Sequence, residues 1–169
     1  MDPTYEFRPA GPGDLPMLLA WRHTPDVLAW WGAWEEPEAE CEAHLAEPAM
    51  ALWIVSHDGR PFAFVQDYAV HAWEPHPFSY LAPGARGVDL YIGVPAMLGR
   101  GHGSTLLRAL CDRLFAAGVP AIGTDPHPDN IRARRACEKA GFTAASGPVE
   151  TRWGRAILME RRAPQPSHP

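Results

Sequence analysis

The chain has 169 residues, enough for one domain with a full hydrophobic core, and no apolar run reaches membrane-spanning length. Its net charge of −5 argues against nucleic-acid and membrane partners and suits a cationic small molecule. Cys41, Cys111 and Cys137 are odd in number and far apart, and Met1-Asp2-Pro3-Thr4 lacks the basic and apolar parts of a signal peptide. The expectation is therefore a cytoplasmic protein with reduced thiols, monomeric or homodimeric.

Tyr5 to Arg8 reads as a short first strand. Asp14 is placed to cap a helix running to about Trp21, with Leu15, Leu18 and Leu19 on one side. Val27 to Trp31 and Glu36 to Ala46 give two more helical pieces. Ala51 to Ser56, a turn at Asp58-Gly59, and Phe62 to Val70 make a hairpin. His71 to Arg86 is a long loop of aromatics and prolines, which in a compact domain marks a functional or mobile segment. Val88 to Gly93 alternates, with Val88, Leu90 and Ile92 on one face and Asp89 and Tyr91 on the other. Ser104 to Ala117 carries Leu107, Leu110, Leu114 and Phe115 at helical spacing, a core stripe. A strand at Ala121 to Thr124 and a helix at Asn130 to Ala140 follow. Phe142 to Ala145 and Arg155 to Glu160 then close the sheet as a hairpin across Gly147-Pro148. Residues 1–163 form a single domain without repeats, and the tail from Pro164 reads as disordered.

Between strand and helix lies Leu98-Gly99-Arg100-Gly101-His102-Gly103-Ser104. Glycines at alternate positions let the backbone fold around phosphate oxygens, and the first helix amides point at the charge. It is not a dinucleotide fingerprint, because Ser104 stands where that pattern has its third glycine and no ribose-binding acid follows, and no Gly-Lys-Ser/Thr makes it a Walker A loop. Arg100 can add a charge-assisted contact. Farther on, Asp125 ends a strand at its C-terminal end, where ligands gather in open α/β sheets. Asn130 can cap the next helix. The histidines have no ligand spacing, so no metal is expected.

The glycine loop, together with Asn130 and Glu138-Lys139-Ala140-Gly141-Phe142, resembles the cofactor motifs of the GNAT acyl-CoA N-acyltransferases. Trp30-Trp31-Gly32, Gly87-Val88-Asp89 and Thr124-Asp125-Pro126 narrow the likeness to the aminoglycoside 6′-N-acetyltransferases, over about Phe7 to Met159. This resemblance implies a mixed α/β (α+β) fold with a mostly antiparallel central sheet, flanked by helices and splayed by a bulge at the cofactor strand. It implies acetyl-CoA as cofactor and direct attack by the 6′-amine of an aminoglycoside in a ternary complex. Other acceptors sharing these motifs are siderophore hydroxylamines, lysine and protein N-termini, and a non-catalytic acyl-CoA-binding module is a further alternative.

Within that resemblance Leu98 to Ser104 would hold the pyrophosphate, Asn130 the pantetheine arm, and an amide near Ile92, Gly93 or Val94 the acetyl oxygen. Pro95 fits an abrupt end to strand pairing there. Asp89 would bind the acceptor ammonium and take its proton, with Asp125 orienting it. The competing reading of Asp89 is an ion pair with Arg86. The family's usual Tyr is replaced by Cys137, a shorter donor that would pack under the cofactor, so Tyr91 or water would protonate the leaving thiolate. Trp30 and Trp31 would stack on the sugar, with Glu35 and Glu36 beside them steering a polycation.

Overall fold

A computed structural model describes residues 3–165. The last part of the expected tail, 166–169, lies outside the described residues. Seven strands form one sheet in the order β1-β2-β3-β4-β5-β7-β6. They are β1 (Tyr5–Pro9), β2 (Met50–His57), β3 (Arg60–Ala69), β4 (Arg86–Ile92), β5 (Ala121–Thr124), β6 (Thr143–Thr151) and β7 (Gly154–Arg162). Only β4 and β5 run parallel. The helices are α1 (Leu15–Arg22), α2 (Pro25–Trp31), α3 (Pro37–Ala46), α4 (His102–Ala116) and α5 (Ile131–Lys139).

Strand alternation divides the apolar residues between the two faces of the sheet. Val55, Ala63, Val65, Val88 and Ile122 pack beneath α4 and α5, against Leu106, Leu107, Leu110, Cys111 and Cys137. Leu52, Ile54, Phe64 and Tyr91 meet Leu18, Trp21 and Val27 of α1 and α2 on the other face. Each fully buried Val, Leu, Ile or Phe among them stabilises the fold by about 1.5–3 kcal/mol. The α4 stripe includes Leu106 and Cys111 as well as the expected leucines.

The His71 to Arg86 loop is not loose. His71 Nε2 bonds the carbonyl of Leu81, Ser79 donates to Glu74, and Phe78 and Leu81 are buried with Val70 and Ala121.

Two local expectations change. Asp14 precedes α1, but its carboxylate bonds the Gly11 amide and forks onto Arg8 instead of capping that helix. The last hairpin turns at Arg152-Trp153, not at Gly147-Pro148. Pro148 sits inside β6, where the register shifts between Ala144 and Pro148. An edge strand tolerates this because one side of its backbone needs no partner.

Candidate active site

The site begins where the sheet comes apart. β4 pairs with β5 only at Arg86↔Ile122 and Gly87↔Gly123, so the strands diverge over the rest of β4. The expected splay is present, and no bulge in β4 causes it. The β3–β4 register runs unbroken from Ala69↔Arg86 to Ala63↔Ile92. The last bond of that ladder runs from the Gly93 amide to the carbonyl of Phe62, at 2.7 Å. It fixes the parity of an antiparallel pair, in which alternate residues bond to one neighbour and the rest face away. Leu90 and Ile92 therefore turn their amides and carbonyls into the open cleft, and the Gly93 amide is already committed.

The same cleft opens onto a cavity of about 810 Å³. Ile92, Leu98, Gly103, Asn130 and Cys137 line it from one end. Gly99 and Gly101 have φ of 71° and 82°, conformations that any side chain would strain. An added Cβ would meet nothing within 4 Å at either position, so backbone shape alone selects glycine there. Gly101 is the N-cap of the 15-residue α4, whose first amides are left for an outside acceptor. Asn130 caps α5 through the Ala133 amide, as expected.

Not every loop residue serves the cleft. The His102 ring is buried on the far side, 2.9 Å from the Tyr5 hydroxyl and near His57, so only its backbone belongs to the cradle. The Ser104 hydroxyl turns back onto the Gly101 carbonyl. Gly93 lies against Trp21, whose ring an added Cβ would meet at 2.2 Å. Its glycine therefore answers to packing beneath the strand.

Asp89 and Asp125 meet in the cavity, Asp89 from the middle of β4 and Asp125 from just past the end of β5. Their carboxyls hydrogen-bond one another, and Gln66 Nε2 donates to Asp89 at 2.9 Å. Burial raises both above the ordinary carboxylate range. Asp125 is raised further because the Asp89 charge faces it, whereas Gln66 and the Asp125 proton partly relieve Asp89. Arg86 is not their partner. It pairs at 2.6 Å with Asp67, which is 3% exposed and also accepts from Trp53 Nε1.

At the other end the cavity is aromatic. Tyr68, Trp73, His76 and Trp153 form a wall, with ring spacings of 5.9 Å for Tyr68–Trp73 and 5.0 Å for His76–Trp153. The tryptophan pair divides its work. Trp31 is partly buried, packs edge-on against Tyr91 and Phe64 and also lines the cavity, while Trp30 stands 42% exposed at the mouth beside His127. Glu35 and Glu36 are exposed and do not line the cavity; besides Asp89 and Asp125, Asp26 and Glu47 are the acidic residues that do. Sequence reasoning missed Gln66, Tyr68, Asp26 and Trp153. Only the flagged loop pointed to Trp73 and His76.

Residues 12–147 match the family described as acetyltransferase (GNAT) domain. The chain belongs to the GNAT acetyltransferases. It is 35% identical over 159 residues to the aminoglycoside N(6′)-acetyltransferase type 1 of Klebsiella pneumoniae, covering 86% of this chain and 77% of that one. A kanamycin resistance protein of Rhizobium radiobacter is 46% identical over 78 residues, 46% of this chain and 71% of its own. The fold also superposes on the aminoglycoside acetyltransferase AAC(6′)-Ib in complex with coenzyme A and kanamycin. The TM-score is 0.85 at 31% identity, covering 94% of this chain and 95% of that one.

In this GNAT, burial first and then Cys111 and Asp125 push the Cys137 thiol up to about 12. An ordinary thiolate, near pKa 8.5, is too weak a base to take that proton. Cys137→Ala should accordingly keep kcat within about threefold of the parent; a loss on the scale of general acid catalysis, about 10²-fold, would give the thiol a direct part. Burial also raises the Tyr91 phenol.

The carboxyl pair also links stability to pH. Folding raises the Asp125 pKa, so the native state holds a proton that the unfolded chain releases in the ordinary carboxylate range. The resulting stability is complete below that range and is lost as pH rises through the folded value. Asp125→Asn cannot ionise and should escape this loss. Its Tm should gain on the parent by about 2–6 °C between pH 4 and 8 in thermal melts. A constant difference across that range would remove the linkage.

Proposed function

We propose that the chain transfers the acetyl group of acetyl-CoA to the 6′-amine of aminoglycosides. The observation that carries this reading is the single cavity that joins the splayed β4–β5 cleft to an aromatic acceptor wall, with Asp89 and Asp125 at the junction. Acetyl-CoA, once bound, supplies an acyl thioester. The fit for it is the open cleft edge and the left-handed glycine turns before α4.

The amides at the start of α4 would take the pyrophosphate, and Arg100 on the exposed rim would add charge. Leu90 and Ile92 would bond the extended arm as a neighbouring strand would. The Ile92 amide, left free by the divergence, is placed to polarise the acetyl carbonyl. Asp89 accepts the acceptor's ammonium proton, directly or through one water, and its raised pKa makes it a stronger base than an exposed carboxylate. Asp125, hydrogen-bonded to Asp89, fixes its orientation. Trp30 and the Tyr68–Trp73 wall offer flat apolar faces to an aminated sugar, with cation–π attraction to its ammoniums.

Thiol release from acetyl-CoA tests the proposal. Kanamycin should support turnover, while an aminoglycoside with a 6′-hydroxyl, lysine and a peptide amine should not. Equal release with lysine or the peptide would move the acceptor to another class.

A further inference from the structure

The charge in the acceptor half is unevenly committed. Asp89 and Asp125 hydrogen-bond one another, and so each is already engaged by the other. The other carboxylates among the described lining residues are Glu47 and Asp26. Glu47 Oε1 accepts from the Ala49 amide at 3.1 Å. Asp26 faces Arg132 of α5 across the mouth of the cavity, Oδ1 to Nη1 at 3.4 Å, with side chains 40% and 64% exposed. This contact is single and long. The Arg8–Asp14 fork in the same molecule makes two bonds of 2.9 and 2.8 Å. A half-wet, monodentate pair contributes little and exchanges readily.

Asp26 and Trp30 are four residues apart on α2, so one helix face presents a carboxylate and an exposed indole together. We propose that Asp26 is the binding group for an ammonium remote from the reacting amine, and that Arg132 holds this place as an internal cation until the acceptor arrives. The inference rests on the acceptor reading above and names a residue for its polycationic part. An ammonium of a molecule already held at Asp89 competes with Arg132 at high effective concentration, and the indole adds an attractive face.

The test is the kanamycin KM of the full chain at saturating acetyl-CoA and low ionic strength. Asp26→Asn should raise KM about three- to tenfold, and Arg132→Gln should lower it about two- to fivefold. Added salt should shrink both effects. If the pair only ties α2 to α5, both variants break the same bond and move KM in the same direction, which overturns the inference while leaving the acceptor reading intact. Absence of kanamycin turnover in the parent protein would overturn both. Matching melting curves for parent and variants confirm that both side chains can be changed without loss of fold.

Discussion

Asp89→Asn is expected to reduce kcat about 10²- to 10⁴-fold while leaving acetyl-CoA affinity and Tm close to those of the parent. The substitution keeps the shape of the side chain and an oxygen for the Gln66 amide, so the local hydrogen bond survives. What it removes is the negative charge proposed to hold the acceptor ammonium and take its proton. Asp125 would be left alone in the cavity. Burial still raises its carboxyl, while the further rise caused by the facing Asp89 charge is lost. The measurement is kcat/KM for kanamycin from pH 6 to 9, beside equilibrium binding of acetyl-CoA. A variant within tenfold of the parent throughout would place the base elsewhere.

Gly93→Ala is expected to destabilise the protein by roughly 3 kcal/mol, a fall in Tm of about 6–12 °C. The new Cβ would lie 2.2 Å from Trp21 Cγ and Cδ2, and 2.8 Å from its Cβ, a contact that demands movement. Trp21 is 7% exposed and packs against Tyr91. It can yield only by displacing the helical face that carries α2. The end of β4, with the Ile92 amide, would shift with it, so catalysis should suffer at temperatures where the variant is still folded. Thermal melts and turnover together decide the matter, and a Tm within 2 °C of the parent would show that the core accommodates a methyl group there.

Much of this was legible in the chain, because local rules act locally. Strand alternation placed Asp89 and Tyr91 on one face and the aliphatics on the other. The turn glycines of the cradle and the Asn130 cap are short-range chemistry, and the structure keeps them. The failures share a different cause. His102 and Gly93 sit in or beside the glycine motif, yet their side-chain environments come from Tyr5 and Trp21, far away in sequence. Gly147-Pro148 has the composition of a turn, but the hairpin closes at Gly154, whose φ of 118° only glycine takes easily. Arg86 looked like a neighbour for Asp89, three residues away. Alternation puts the two on opposite faces, and β3 supplies Asp67 for one and Gln66 for the other. Cross-strand register of this kind has no signature in a single sequence.

The narrow contact between β4 and β5 has a mechanical meaning. Two residue pairs and the Thr124 hydroxyl on the Val88 carbonyl join a four-stranded plate to a three-stranded one. The two plates are riveted at one corner and open at the other, and an extended molecule lying along Leu90 and Ile92 would act as a splint across the open corner.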